Sequence, residues 1–124
     1  MPYEVSFDKI DRIVEVRVSG LATHDDHCAA RDEALRLGQE NRCSRLLVDL
    51  RELDTTRSSA MDCFTFGETL ARSSPGVRLA HVLPKEARSR EAVRFTSIVE
   101  ANRGGLVREF DSFDEAREWL LDGT

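Results

Sequence analysis

Two neighbouring serines, Ser58 and Ser59, stand where a polar run gives way to an apolar helical pattern. A helix that begins there presents unpaired backbone N–H groups and the positive end of its dipole, which favour an anion or a phosphorylated serine. Arg57 and Lys85 supply positive charge that suits the same anion. Serine is also a preferred first residue of a helix. We therefore predict that the pair either binds an anion or only caps the helix.

Two aspartates precede these serines. Asp49 follows an apolar run, and Asp54 opens the polar run that leads to Ser58. Two carboxylates that converge on one site carry out acid–base or phosphoryl chemistry. A single aspartate at the end of a strand more often accepts hydrogen bonds from a loop. Both interpretations stay open at this point.

A basic segment lies further along the chain, where Lys85, Arg88, Arg90 and Arg94 fall in the first half of a helical pattern. Positive charge opposes the dipole at the start of a helix. The segment is interpreted either as an anion-binding or partner surface, or as a solvated face whose charge is offset by neighbouring glutamates.

The run His-Asp-Asp-His at 24–27, followed by Cys28, imitates a metal-binding cluster. A structural zinc site needs four ligands in closed geometry, and this run supplies them only if distant residues converge. Its aspartates instead suit the first turn of a helix. We predict no metal site and no cofactor. There is no GxSxG motif and no complete catalytic set, so we predict that the chain is not an enzyme.

The bulk composition indicates one acidic, globular domain. The chain has 124 residues, a net charge of −5, and 40% apolar residues. This acidity argues against a nucleic acid as partner, because binding phosphates requires clustered cations. We expect no membrane insertion, since no run approaches about 20 apolar residues. A start without signal-peptide features and three cysteines without paired spacing predict a cytoplasmic protein with reduced thiols.

The elements that must position these side chains follow from hydrophobic periodicity. Strand patterns run over 3–7, 12–20, 44–51, 77–84 and 106–110, and helical patterns run over 23–37, 58–73, 85–105 and 112–121. The order β-β-α-β-α-β-α-β-α predicts an α/β fold: a single mixed, mostly parallel five-stranded sheet with an N-terminal antiparallel hairpin and about four helices. Ligands of such sheets bind beyond the carboxyl ends of the strands. Asp49, Asp54, Ser58, Ser59 and Arg88 are thus predicted to share one face.

The apolar stripes of the second and third helices indicate which residues pack inward. Ala60, Met61, Phe64, Leu70 and Ala71 form the first stripe, which Cys63 and Phe66 widen, and Ala92, Phe95, Ile98 and Val99 form the second. A stripe this wide fills the core, contacts an apolar ligand or forms a dimer interface. A core of this size cannot bury every side chain as large as Trp119 and Phe66. We therefore expect a homodimer, in which such side chains are covered by the second copy.

The whole pattern resembles the STAS domains, which include the bacterial anti-sigma-factor antagonists (SpoIIAA-like proteins). The segments that carry the likeness are VDLREL, FTFGETLA, RLAHVLP, EANRGGLVREF and SFDEAREWL. They are similar to a small bacterial STAS-like branch grouped with the CRAL-TRIO lipid-binding fold, whose members commonly carry no assigned function. The likeness implies one STAS-like domain over residues 1–124.

The resemblance also implies a site. In the antagonists, a serine after the strand-end aspartate is phosphorylated by a partner kinase. An ungapped comparison places Ser58 and Ser59 on the paired serines and Asp49 on that aspartate, with Arg57 at the signature aspartate and Ala60 at the glycine.

Three functions are therefore expected. The first is a non-enzymatic regulatory or protein-interaction module that uses Asp49, Asp54 and Arg88. The second is a carrier of a small apolar ligand, with Phe64, Phe66 and Trp119 as ligand or dimer contacts. The third is a phospho-regulated switch of the anti-sigma-antagonist type at Ser58 or Ser59.

Overall fold

The structure is a computed structural model, and it describes residues 2–56 and 58–122. Its elements follow one another along the chain as β1 (Tyr3–Asp8), β2 (Ile13–Val18), α1 (His24–Glu40), β3 (Arg45–Asp49), α2 (Ala60–Ser73), β4 (Arg78–Val82), α3 (Ala87–Asn102), β5 (Leu106–Phe110) and α4 (Phe113–Asp122). This is the order that the periodicity predicted.

One sheet contains all five of these strands in the order β1-β2-β3-β4-β5. β1 and β2 form the antiparallel hairpin, in which Tyr3 pairs with Val18 and Phe7 with Val14. β2, β3, β4 and β5 pair in parallel, each with the next. The predicted α/β fold with a mixed, mostly parallel sheet is therefore confirmed.

The two faces of the sheet are buried by different helices, because successive strand residues point to opposite sides. On one face, Leu46 and Leu79 pack with Ala30 of α1, Leu70 of α2 and Val93 of α3. On the other face, the cluster is formed by Ile13, Leu47, Ala80, Val82, Ala116 and Leu120. The first three helices thus cover one side of the sheet, and α4 alone among the described helices covers the other.

The helix starts are fixed by side chains that accept hydrogen bonds from free backbone N–H groups. Thr23 and Asp26 form a capping box at α1. At α3, the carboxylate of Glu86 accepts bonds from the N–H groups of Arg88 and Ser89 at 2.8 and 2.9 Å. These bonds hold the pKa of Glu86 below its ordinary value. The glutamate places negative charge at the start of α3, where it interacts favourably with the helix dipole and with the charge of Arg88.

The predicted inward stripes of α2 and α3 are wrong in part. Met61 is 70% exposed, and Phe95 and Ile98 are 39% and 57% exposed. For α3 the cause is the close approach of the two helices at Gly67, where an added Cβ atom would lie 2.8 Å from the carbonyl oxygen of Thr96. This approach sets which side of α3 faces the sheet, and that side buries Val93, Thr96, Ser97, Val99 and Glu100.

Candidate functional site

An apolar cavity of about 90 Å³ lies between the sheet and the helices α1, α2 and α3. The sheet lines it with Val16, Val18, Leu46 and Val48, and the helices line it with Ala30, Ala34, Phe66, Leu70 and Val93. Strand parity places these strand side chains on the face that the three helices cover. The cavity is therefore built from the larger of the two apolar clusters rather than added to the surface.

Polar side chains also line this cavity. His24 and His27 come from α1, and Ser58 and Asp62 come from the start of α2; all four are half-buried. Burial lowers the pKa of His27, and the neighbouring His24 lowers it further. The cavity thus combines an aliphatic wall with an edge that carries both hydrogen-bond donors and acceptors, which suits a small amphipathic molecule.

The two neighbouring serines have different roles in the structure. Ser59 is the N-cap residue immediately before α2, where its hydroxyl accepts a hydrogen bond from Asp62 N–H at 3.0 Å and its own N–H donates to the Asp62 carboxylate at 3.4 Å. Ser58 is half-buried, lines the cavity, and donates its N–H to the carbonyl of Thr55 at 2.9 Å. Phosphorylation of either serine stays a prediction.

Arg57 and Lys85 are the two cations predicted to hold an anion beside these serines. Arg57 lies outside the described residues. Lys85 is exposed just after β4, and Arg88 is exposed in the first turn of α3. Anion binding by these residues stays a prediction.

The loop after β3 is tied to α3. The N–H of Thr55 donates to the hydroxyl of Ser89 at 3.0 Å, and the two hydroxyl oxygens are 3.2 Å apart. Asp54 accepts a hydrogen bond from Thr56 N–H at 2.9 Å, which lowers the pKa of Asp54, and the charge of Arg88 lowers it further. The loop that carries Asp54 therefore lies against the start of α3, and its use as a binding face stays a prediction.

Asp49 lies on the other side of the sheet, with Leu47 and α4. Its carboxylate accepts hydrogen bonds from two nitrogens of the Arg51 guanidinium, both at 2.9 Å, and that guanidinium lies 5.3 Å from the ring centroid of Phe113. Burial acts to raise the pKa of Asp49, but the bonds from Arg51 outweigh it and hold the pKa low. The single face predicted for Asp49, Asp54 and Ser58 is thus divided between two sides.

The three predicted apolar contacts also separate. Phe66 lines the cavity and packs against α1, with its ring 6.0 Å from the ring of His27 and 5.4 Å from the Arg31 guanidinium. Phe64 is half-buried, with the Arg103 guanidinium 5.8 Å from its ring. Trp119 packs on the α4 side against Phe110 and Arg78. Only Phe66 of these three belongs to the cavity, and self-association stays a prediction.

Sequence reasoning missed a buried ionisable pair beside the cavity. His81 of β4 lines the cavity and is 3% exposed, and Glu100 of α3 is fully buried. Nε2 of His81 lies 3.7 Å from Oε1 of Glu100. Burial lowers the pKa of His81 to about 4 and raises the pKa of Glu100 to about 8, with the charge of Glu109 adding to the second effect. The spacing of Glu100 from Val93 and Ser97, seven and three residues, is the helical signal that could have found it.

Residues 2–56 and 58–122 form neither a metal-binding cluster nor a membrane-spanning helix. No three or more His, Cys, Asp or Glu side chains of these residues come together in a way that could hold a metal ion. None of the helices found there is long and apolar enough to span a membrane.

The fold of this chain is shared with a solved structure. No protein-family model matches the sequence, and no curated protein matches it. Among solved structures, the chain is similar to the crystal structure of an uncharacterized protein of the DUF3478 family with a SpoIIAA-like fold, from Shewanella loihica PV-4. The likeness covers 95% of this chain and 91% of the other, with a TM-score of 0.56 and 18% identity. It shows that this chain has a SpoIIAA-like fold, as its resemblance to STAS domains predicted.

Proposed function

We propose that this SpoIIAA-like domain is a non-enzymatic binding protein that takes a small apolar ligand into the cavity between α1, α2, α3 and the sheet. The cavity itself is the observation that carries the proposal, because close-packed interiors contain few voids larger than a water molecule. An empty apolar cavity gives up the dispersion contacts of its lining atoms, and a ligand restores them. In a protein whose function is binding, the bound ligand offsets this loss of dispersion energy.

The size of the cavity limits the ligand. An apolar cavity of about 150 Å³ stays dry and binds benzene, and this cavity measures about 90 Å³. The described conformation therefore accepts a short aliphatic group. Phe66 of α2 and His27 and Arg31 of α1 contact one another at this cavity and all three line it.

The polar edge limits the chemistry of the ligand. His24, His27 and Ser58 supply imidazole and hydroxyl groups at one end of the cavity. A ligand with an aliphatic body and one hydroxyl or carboxyl end fits this distribution, since its polar end keeps hydrogen bonds while its body is buried.

The regulatory function expected from the sequence is compatible with this cavity. The loop that carries Asp54 at the surface also carries Ser58 at the cavity, and Thr55 joins the loop to Ser89 of α3. A ligand that contacts Ser58 thus acts on the same segment that a protein partner meets at Asp54 and Arg88. We favour a regulatory domain whose partner face responds to occupancy of the cavity.

A phospho-regulated switch is the second candidate, and the structure supplies a reason to prefer one serine for it. Ser59 is engaged in the helix cap, so a phosphate there displaces the bonds with Asp62. Ser58 is outside the cap and lines the cavity. A phosphate on Ser58 is therefore expected to compete with the ligand. Phosphate-specific mass spectrometry of the native protein tests this candidate.

Native mass spectrometry of freshly purified protein tests the ligand proposal. The wild type is expected to carry a small bound mass that dissociates on activation. Ala30→Leu fills the cavity and is expected to lose that mass, whereas Ala29→Leu, the same change at an exposed neighbouring position, is expected to keep it. Retention of the mass by Ala30→Leu, or its absence from the wild type together with no binding of short-chain alcohols, contradicts the proposal.

A further inference from the structure

Glu100 is buried without the partners that a carboxylate ion needs. Both of its oxygens are enclosed and accept no hydrogen bond from any described residue. Burying an ionised carboxylate without donors is so unfavourable that the group instead takes up a proton. The packing of Glu100 therefore selects the neutral carboxyl group.

The hydrogen bonds around His81 indicate which nitrogen of its ring carries the proton. The hydroxyl of Ser97 donates to the carbonyl of Val93 at 3.1 Å, so its oxygen is left to accept from Nδ1 of His81, also at 3.1 Å. A neutral His81 that carries its proton on Nδ1 presents an unprotonated Nε2 toward Glu100. The protonated carboxyl of Glu100 complements that nitrogen, and an ionised carboxylate repels it.

The other charged groups around Glu100 do not neutralise it. From β5, Glu109 adds negative charge near Glu100. Nε of Arg94 in α3 lies 3.7 Å from Oε1 of Glu109. From α2, Glu68 pairs with Arg103 at 3.3 Å, and Cys63 is half-buried beside Thr96. From β4, His81 is the facing group. The arginines near Glu100, Arg94 and Arg103, thus pair with Glu109 and Glu68 rather than with Glu100.

Glu100 and the cavity share one helix. Ala92, Val93 and Thr96 of α3 form part of the cavity wall, and Val93 also accepts the bond from Ser97. Because Glu100 is enclosed between α3 and the sheet, its carboxylate reaches water only when this part of α3 moves away from β4. That movement removes part of the cavity wall.

We propose that the His81–Glu100 pair is a proton-controlled latch on the cavity: α3 stays closed while Glu100 holds its proton, and loss of the proton favours an open α3 and release of the ligand. The release step rests on the proposed function, whereas the opening of α3 does not. No described residue outside this pair has to change its protonation for the latch to work.

The pH range follows from linkage. An open α3 exposes Glu100, whose carboxyl then ionises near its ordinary value of 4.5, while the closed state keeps the proton up to about pH 8. Opening therefore releases a proton and is favoured by rising pH. An exposed His81 has an ordinary value of 6.5, so its uptake of a proton opposes this trend only below that pH. Between pH 6.5 and 8 the open fraction rises about tenfold per pH unit, and above that it levels off.

Hydrogen exchange of the α3 backbone, measured by mass spectrometry in the apo protein, tests the latch. Protection factors over 87–102 are expected to fall about tenfold per pH unit from pH 6.5 to 8. Glu100→Gln keeps the size of the side chain and cannot ionise, so its protection factors stay constant. Glu91→Gln, an exposed position of the same helix, follows the wild type. A flat wild-type profile, or the same fall in Glu100→Gln, overturns the inference.

A titration of the Glu100 carboxyl carbon by NMR keeps the test valid if Glu100→Gln does not fold. A midpoint near pH 8 supports the latch, and a midpoint near the ordinary value of 4.5 overturns it. Binding of 1-butanol is then measured over the same pH range. Failure of 1-butanol to bind at any pH counts against the proposed function alone, and binding with flat exchange counts against the latch alone. Because the apparent affinity follows the closed fraction, 1-butanol binding that weakens only at the pH values where most protection is lost supports both.

Discussion

Glu100 faces Nε2 of His81 across 3.7 Å, and both side chains are shielded from water. Burial disfavours the charged form of each, so the pKa of the acid is raised and the pKa of the base is lowered. Near neutral pH both are therefore uncharged. The pair therefore places two titratable groups beside an apolar cavity. Because their pKa values differ between the folded and the unfolded chain, the free energy of unfolding depends on pH.

The first prediction is a loss of stability as the pH rises. Below pH 4.5, Glu100 is protonated in both the folded and the unfolded chain, and stability from this group is complete. As the pH rises further, the unfolded chain ionises first, so the free energy of unfolding falls until about pH 8. Between pH 6.5 and 8, urea denaturation of the wild type should show a loss of roughly 2 kcal/mol relative to Glu100→Gln. Parallel profiles for the two proteins contradict the prediction.

The second prediction concerns the acid side. His81 has a folded pKa of about 4 against an ordinary value of 6.5, so its contribution is complete above pH 6.5 and is lost as the pH falls through 4. Between pH 4.5 and 6.5 this trend opposes the trend from Glu100, and the two cancel in the wild type. Glu100→Gln removes one of them. Its free energy of unfolding should fall by about 1.4 kcal/mol per unit as the pH drops over this range, while the wild type changes less. Equal slopes in this range rule out the assignment of His81.

The third prediction separates the two serines. Ser59→Ala removes the acceptor of the Asp62 N–H and should lower the free energy of unfolding by about 1 kcal/mol. Ser58→Ala lies outside the cap and should change it by less than about 0.5 kcal/mol. Chemical denaturation at one pH measures both, and Ser58→Ala serves as the matched control. A larger loss for Ser58→Ala would show that the cap is misassigned.

The periodicity of the sequence was sufficient to predict the order of the strands and helices, because apolar alternation and helical spacing are local properties. It did not identify which polar residue caps α2, since Thr55, Thr56, Ser58 and Ser59 all suit the position by type. The reciprocal bonds between Ser59 and Asp62 fix the choice, and the Ser-x-x-Asp spacing at 59–62 is the local signal that could have found it. The buried bond between Thr55 and Ser89, 34 residues apart, is a contact that leaves no such mark on the neighbouring sequence.

The assumption that apolar residues point inward also failed for a physical reason. Ile98 and Phe95 lie outside because α3 turns Thr96, Ser97 and Glu100 toward the sheet and α2. The hydroxyl groups of Thr96 and Ser97 bond to carbonyl oxygens within α3, so their burial costs little. A sequence pattern that counts only apolar residues cannot anticipate an interior of satisfied hydroxyls and one protonated carboxyl.

The division of the predicted face has a similar cause. Period-2 alternation places Asp49 on the same side as Leu47 and opposite Leu46 and Val48. It does not tell which helices cover each side, and the passage of α4 to the other face separates Asp49 from Ser58. Asp49 and Ser58, which lie close together in the sequence, are therefore on two different surfaces of the domain.

Xenon tests most directly whether the cavity under α1, α2 and α3 accepts an apolar ligand, because xenon enters apolar cavities without needing any polar contact. Methyl NMR spectra under increasing xenon pressure should show saturable shifts for Val16, Leu46 and Val93, which line the cavity. The methyl groups of Ile13, Leu47 and Leu120, in the cluster on the other face, should stay unchanged and are the internal control. Equal, unsaturable shifts in both clusters, or none in the first, would contradict the binding of an apolar ligand in this cavity.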